Sequence, residues 1–533
     1  MILLFKRTKP LDYIRNIWPN GERKKRSIIL SKKYNDIIRK DKENLIDDQS
    51  WSDLDMDSVF PFLDKTLTTP GEQILYNILR NPLYSESKLK ERDRVISLFQ
   101  ENSPIREKFQ LKLFKIGKQK IGNILSLLWE DLKENKLMRF LCIFFGTLPT
   151  LIIVIELIFH IDLLVIFLSI VPFLFINMVI HYRTSADRIS QINSISYFSK
   201  LMNVCKEICN LKIDELSEYK FKINSIFKNI NIHSVTSSTY KINRIEGFSP
   251  ILDYFSILFL WEERTYYKLI KHINLHQNDL RKLYELVGEI DAFISIAAYR
   301  ESLPYYTKPQ FTEKEKYLKI KDSVHPLIEK PVPNSIILDK KGVILTGTNM
   351  AGKSTFLRTI GLNALMAQTI YTCTAKEYIG NFFNIVSSMA PKDNVLKGKS
   401  YYLGEAEAIL RIVKKVNEKY PVLSVIDEIF RGTNPIERVA TSTQILKYVI
   451  ARNCIPIVAT HDHELTKLLK DNYKCYYFSE DVDETSGLKF DYKIKKGISP
   501  TTNAIKLLNY LGYPKEITKT SYDMVKENQK IAK

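Results

Sequence analysis

The stretch GVILTGTNMAGKSTFLRTIGLNALMAQ, Gly342 to Gln368, decides the fold. GVILT is apolar enough for a buried strand, and TFLRTIGLNALMAQ carries apolar residues at helical spacing. Between them Gly347 to Ser354 reads GTNMAGKS, which fits G-x-x-x-x-G-K-[ST] in the strand–turn–helix setting that the motif requires. Glycines at Gly347 and Gly352 let the loop fold its N–H groups around phosphate oxygens at a helix N-terminus. Lys353 then reaches the β and γ phosphates, and Ser354 coordinates Mg²⁺. With Thr348, Asn349, Met350 and Ala351 inside the loop and Thr355 after it, the expected nucleotide-binding set is Gly347 to Thr355, and the expected ligands are ATP and Mg²⁺.

Toward the C-terminus, PVLSVIDEIFRGTN, Pro421 to Asn434, is an apolar strand ending in two acids. Asp427 is placed to hold the Mg²⁺ shell and Glu428 to polarise the attacking water; a bland alternative is an acidic pair capping the next helix. A further apolar strand, IPIVAT, ends at His461, which can contact a γ phosphate from the neighbouring strand end, although a lone histidine is more often structural. Toward the N-terminus the pattern changes. Pro304, Pro309, Pro326, Pro331 and Pro333 punctuate an extended connector. Before it, Pro250 to Ser302 reads as long-helix material, with apolar residues at three- and four-residue steps in LRKLYELVGEIDAFISIAAYRESL, Leu280 to Leu303. The expected architecture is a helical domain followed by a P-loop α/β domain, with a boundary near residue 320.

A third kind of sequence lies inside the helical part. Leu137 to Ile180 is almost unbroken apolar sequence, interrupted by Arg139, Glu156, His160, Asp162 and Asn177. Two spans of about 20 residues each would cross a bilayer core, with the turn near His160 to Asp162. Lys133, Lys136, Arg139 and Arg183 flank the spans and the turn carries no Lys or Arg, which puts both chain ends in the cytoplasm. The competing reading is a buried helical hairpin, but a helix in water needs a polar face, and none repeats at helical spacing here. Pro172 would kink the second span, which lipid-embedded helices tolerate. A transmembrane hairpin over residues 137–181 is the expectation.

The totals fit a multi-domain folded protein. Its 533 residues suggest about three domains. The 79 basic and 60 acidic side chains leave a net charge of +19, which favours polyanions such as nucleic acid or an anionic membrane face, unless it is only a Lys-rich composition. Residues 1–40 carry 12 Lys or Arg, densest in RKKR at Arg23 to Arg26, read equally well as a solvated tail. The cysteines, Cys142, Cys205, Cys209, Cys373, Cys454 and Cys475, form no CxxC pair and no metal-like spacing with histidines, so a reduced cytoplasmic ATPase portion is expected. MILLFKRTKP holds too short an apolar run for a cleaved signal.

These motifs resemble a known family. TGTNMAGKST, GKSYYLGEAEAIL (Gly398 to Leu410), IDEIFRGTN and ATHDHELTKL (Ala459 to Leu468) are similar to the four ATPase blocks of MutS, in MutS order and spacing. LDKTLTTPGEQILYNILRNPL, Leu63 to Leu83, resembles the opening of the MutS core, and Leu280 to Phe311 its return helix. VHPLIEKPVPNSIILD resembles the entry to the ATPase domain and KKGISPTTNAIKLLNYLGYP, Lys495 to Pro514, the closing block. The likeness covers roughly residues 50–100 and 250–515. It implies an ABC-type ATPase homodimer that holds each nucleotide between two subunits, with mismatched DNA as the inherited partner. By this resemblance Lys353, Ser354, Asp427, Glu428 and His461 match the phosphate-loop, metal, catalytic and sensor positions. Ser400 and Glu405 match a signature that faces the partner's nucleotide, and Thr433 and Asn434 match a loop that crosses the dimer interface.

The departures shape the expected function. The family's mismatch readers carry an N-terminal Phe-x-Glu wedge, and no such motif occurs in the roughly 50 residues before the core here. The family's DNA clamp is inserted between the levers, where this chain has its apolar hairpin. Val332 lies near where the family often stacks an aromatic on adenine, and Thr348 and Ala351 replace the usual Pro and Gly of the loop. No nuclease-like domain is expected before Lys533. The expected divisions are 1–49, a basic segment; 50–320, the helical core and lever; 321–515, the ATPase; and 516–533, a tail. Two functions compete: a DNA-associated MutS-type ATPase anchored in the inner membrane, and a membrane-tethered ATPase of the same dimer type that acts on a membrane or protein partner without touching DNA. An ABC transporter fits poorly, having two spans and no LSGGQ-type signature.

Overall fold

The computed structural model describes residues 10–20, 28–39, 45–119, 123–130, 135–230, 250–348, 351–389, 401–431, 433–483, 487–498 and 504–531. The helical part includes α1 (Thr69–Arg80), α2 (Lys136–Ile158), α3 (Leu163–Cys209), α4 (Pro250–Leu258), α5 (Trp261–Leu275) and α6 (Gln277–Ser302). The strands follow: β1 (Gln310–Phe311), β2 (Tyr317–Ser323), β3 (Asn334–Asp339), β4 (Gly342–Thr346), β5 (Glu377–Gly380), β6 (Asn384–Met389), β7 (Val422–Asp427), β8 (Cys454–Ala459), β9 (Tyr473–Asp483) and β10 (Gly487–Lys496). Among them run α7 (Lys353–Thr369), α8 (Tyr401–Lys415), α9 (Pro435–Ile450) and α10 (His463–Leu468).

These strands form two sheets. The larger has the order β10-β9-β4-β8-β7-β6 and is parallel except for β10. Its strands β4, β6, β7 and β8 are buried along their whole length, as a parallel sheet covered by helices on both faces requires. The smaller, β1-β5-β2-β3, is mixed, and β3 alternates buried and exposed positions because one face meets water. Residue 320, where the sequence places the domain boundary, falls inside β2.

Two helices meet where TTPGEQ begins α1. Thr68 caps the helix by accepting from Gly71 N, and Pro70 occupies the first turn. Asp291, fully buried on α6, accepts from Leu67 N, Thr68 N and Thr68 Oγ1, adding a negative charge at the α1 N-terminus. A Cβ on Gly71 would collide with the Asp291 carboxylate, so only glycine fits there. Burial pushes the Asp291 carboxyl up to about 6, against the pull of those hydrogen bonds and of Lys118.

The Pro250–Ser302 helix expected from periodicity is three helices. Leu260 adopts φ +45° and turns the chain between α4 and α5, and His276 separates α5 from α6. Leu260 is fully buried against Cys142, Ile180 and Tyr267, so packing holds a conformation that no Gly, Asn or Pro announces. The apolar segment also differs from two equal spans. Residues 136–158 form one helix of 23 residues, but Leu163 opens a helix of 47 residues that continues through Pro172 to Cys209. Among the described residues only Lys136–Ile158 is long and apolar enough by itself to cross a membrane; Leu168–Arg183 is a shorter apolar stretch.

The two parts share one hydrophobic core. Leu54 packs where Gly361 of α7 leaves no room for a Cβ. Arg358 Nε donates to Asp53 O at 2.9 Å, and the Asp53 carboxylate accepts from Ser387 Oγ at 2.7 Å and Met389 N at 3.0 Å of β6. Arg300, at the end of α6, donates to Thr372 Oγ1 at 2.8 Å and Tyr371 O at 3.1 Å just past α7, and pairs with Asp93 at 2.7 Å.

Candidate functional site

The carboxyl ends of β4, β7 and β8 converge at the N-terminus of α7, the crevice where parallel α/β sheets bind ligands. Gly347 leaves β4 with φ +126°, and a Cβ there would lie 2.5 Å from Phe478 O. Gly352 precedes α7 with φ +103°. Both glycines are therefore required by backbone geometry. Thr348 O accepts from Ala351 N at 3.2 Å within the loop, and Ala351 is fully buried. Asn349 and Met350 lie outside the described residues.

Lys353 is 1% exposed and its ammonium turns back to Gly347 O, with His461 Nε2 at 3.4 Å. Ser354 Oγ donates to Asp427 Oδ2 at 2.6 Å. Glu428 follows with φ +63°, its N–H donating to Ala459 O at 2.9 Å, so a strained turn joins the ends of β7 and β8. Its carboxylate meets His461 Nε2 at 3.2 Å and Arg431 Nε at 2.6 Å. Burial opposes charge on Glu428, but the His461 hydrogen bond and the positive field of Arg431, His461 and Lys353 outweigh it and hold the carboxyl below the usual range. The site thus brings together Lys353, Ser354, Asp427, Glu428 and His461. A hydroxyl touching a carboxylate at a helix N-terminus fits a divalent cation of the Mg²⁺ type, and the glycine loop with its buried lysine fits a polyphosphate.

The residues expected to serve a partner subunit stand differently. Ser400 lies outside the described residues. Glu405 is buried within this chain, where its charge acts on Arg438, itself donating to Asp462 Oδ2 at 2.8 Å. Asn434 caps α9 by accepting from Ile436 N at 3.0 Å, and Thr433 donates to Glu437 across that first turn at 3.5 Å. Ile436 beside them is 80% exposed, and Tyr402, Leu403 and Leu410 of α8 also face outward.

Beside the loop lies a pocket of about 400 Å³ whose lining includes Ser354, Thr355, His325, Val332, Asn334 and Tyr492. Val332, expected near a base, is part of it. The sequence did not mark Tyr492 or His325. Tyr492 sits at a register shift between β10 and β9 with φ +53°. Asn334 pins that irregularity, donating to Tyr492 O at 2.9 Å and accepting from Ile494 N at 2.8 Å. Such a distortion re-aims a side chain, here to within 3.3 Å of a Cβ built on Gly352. Burial and the nearby Arg358 hold His325 down at about 4 against the pull of Asp55, so it is neutral at neutral pH.

Fold and site together define an α/β domain with a glycine-rich loop in its sheet crevice, joined to a helical part. Residues 42–297 match the family model for MutS domain III and residues 343–529 that for MutS domain V. The chain belongs to the MutS family. Similar curated proteins include the DNA mismatch repair protein MutS of Petrotoga mobilis, 32% identical over 281 residues, which are 50% of this chain and 33% of that protein. A MutS of Thermus thermophilus is 31% identical over 262 residues, 48% of this chain and 31% of that protein. The matched part therefore spans about a third of the length of these relatives.

Proposed function

We propose that the chain binds and hydrolyses ATP with Mg²⁺ as a homodimer, and that nucleotide state moves its helical levers. The carrying observation is the contact of Ser354 with Asp427 at 2.6 Å beside Lys353, Glu428 and His461. Lys353 binds and orients the phosphates, and Ser354 with Asp427 holds the cation, which when bound neutralises phosphate charge. Glu428, ionised at neutral pH, accepts the proton side of the attacking water, and His461 reads the phosphate end from β8. Turning Glu428 to that water loosens its contact with Arg431. The exposed Ile436, Tyr402, Leu403 and Leu410 suit the partner surface of such a dimer.

Coupling has a physical route. The helix that carries Lys353 and Ser354 at its start meets Arg300 at its end, and Arg300 is in the last turn of α6. Movement at the phosphates therefore reaches the levers through the buried hydrogen bonds of Arg300 to Thr372 Oγ1 and Tyr371 O. For what the levers hold, the inherited reading is DNA, with mismatch repair, the role named for the relatives, as its setting. The net charge of +19 suits it.

A second reading is favoured by the outward faces of α2 and α3. Leu151, Leu157, Ile158, Leu168 and Phe175 are each at least 55% exposed, which a helix pair in water does not sustain. We infer that this pair spans the inner membrane with the ATPase in the cytoplasm, so that the levers act on a membrane or protein partner. The deciding experiment is the ATPase rate of detergent-purified protein with homoduplex or mismatched DNA at low and physiological salt. Stimulation that persists at physiological salt supports DNA as partner; indifference to DNA, or an effect lost with salt, sinks it and leaves the membrane reading. No hydrolysis at all would overturn the ATPase proposal.

A further inference from the structure

The α2–α3 pair does not stand alone at its base. The turn joining α4 to α5 packs against it, and the closest contacts bring backbone up to the two helices. Asn177 of α3 is fully buried and donates to Leu258 O at 2.6 Å and Phe145 O at 3.2 Å. A Cβ on Gly146 of α2 would lie 2.5 Å from Phe259 O, so glycine is what lets the turn approach. Leu260 then fills the space beside Cys142 and Ile180. The turn is thus fixed at the level of Gly146 and Asn177.

That level is inside the spans. Gly146 lies ten residues past Lys136, about 15 Å along the helix, and Asn177 six residues before Arg183, about 9 Å. Beyond Gly146 only twelve residues of α2 remain, about 18 Å, which cannot cross a hydrocarbon core of about 30 Å. If α2 crosses the bilayer, the α4–α5 turn is within it. The side chains agree. Tyr254, Phe255 and Trp261 are each more than half exposed, and Phe140, Phe144 and Val179 of the spans also face outward. Two polar side chains at this depth find partners inside the protein, Asn177 Nδ2 in backbone carbonyls and Glu263 in His181 Nδ1 at 2.8 Å. Lys136, Arg183, Lys268 and Lys271 are exposed, and Lys268 is about 10 Å along α5 from Trp261.

We propose that the α4–α5 turn is a third membrane element, a wedge seated in the cytoplasmic leaflet, with Tyr254, Phe255 and Trp261 among the lipid chains and the four cations at anionic headgroups. This rests on the reading of α2–α3 as membrane-spanning and deepens it. Since α5 leads directly through His276 into the lever α6, the wedge ties lever position to the leaflet.

The test uses full-length protein reconstituted in vesicles of phosphatidylcholine and phosphatidylglycerol whose acyl chains are brominated near the headgroup. Tryptophan emission of the wild type is compared with W261F; Trp51 is buried and Trp18 and Trp129 pack against the core, so the difference reports Trp261. A second probe, L151W in the W261F background, reports α2 itself. Quenching of the Trp261 contribution by about half, together with quenching of the L151W probe, is the expected result. Quenching of L151W with no change at Trp261 would overturn the wedge and leave the spans standing. If neither is quenched, the spans fail and the wedge with them.

Discussion

The two ends of this molecule are built on opposite principles. At the glycine-loop end, charged and polar groups are buried and answered: Lys353 is 1% exposed, and Asp427 and Glu428 each meet named partners within 3.2 Å. At the hairpin end, apolar groups face outward, uncovered by the described residues: Phe159 is 72% exposed and Ile158 66%. Buried charge is tolerated only where a ligand or counter-charge completes it. Exposed apolar surface on this scale is tolerated only where water is absent. The two ends thus place opposite demands on their surroundings.

The largest effects test the first half of that contrast. Lys353→Ala removes the ammonium of the loop, so fluorescent-nucleotide binding should fall by about 100-fold or more, and hydrolysis with it. Glu428→Ala should leave that binding within about threefold while turnover drops by roughly 10²–10³. Normal turnover by the Glu428 variant would mean that the strained position after β7 serves structure and that the base lies elsewhere.

The second half is tested by charge. Leu151→Arg places a cation on an exposed face of α2 about 22 Å from Lys136. If that face meets lipid, insertion costs about 2–3 kcal/mol more, and recovery in the membrane fraction should fall accordingly. A variant whose membrane recovery and detergent requirement match those of the wild type would show that this face does not meet lipid and would erase the contrast between the two ends.

The ends also differ in how they were written in the sequence. The meeting of Lys353 and Ser354 with Asp427, Glu428 and His461 was legible because short contiguous motifs sit at the ends of adjacent parallel strands. The α/β domain followed from that one stretch. The apolar segment was legible as hydropathy, but the α4–α5 turn was not: periodicity sees helix through Leu260, whereas buried contacts with Cys142, Ile180 and Tyr267 force a left-handed turn there. The fit of Gly71 to Asp291 joins residues far apart in the chain, and no local pattern reports it. Glu405, placed by resemblance in a signature facing a partner, is buried in its own chain, because the motif gives a residue's position and packing decides its direction.

Tyr492 makes the same lesson measurable at the nucleotide end, and with the smallest effect. Val332, which by the MutS resemblance lies near where the family often stacks an aromatic on adenine, is aliphatic and gives no stacking face. The pocket supplies an aromatic from elsewhere: Tyr492 arrives from β10, re-aimed by the register shift that Asn334 pins, and lines the same pocket as Val332 and Thr355. A ring against a base contributes about 1 kcal/mol beyond simple burial. Tyr492→Leu keeps apolar bulk and removes the stacking face, so ATP affinity should weaken by about fivefold while affinity for inorganic triphosphate, which has no base, stays level. Equal loss for both ligands would mean that Tyr492 supports the loop through Gly352 rather than the base. No loss for either would mean that Tyr492 makes no contact with the base. Either result would show whether strand irregularity or local motif sets the specificity of this end.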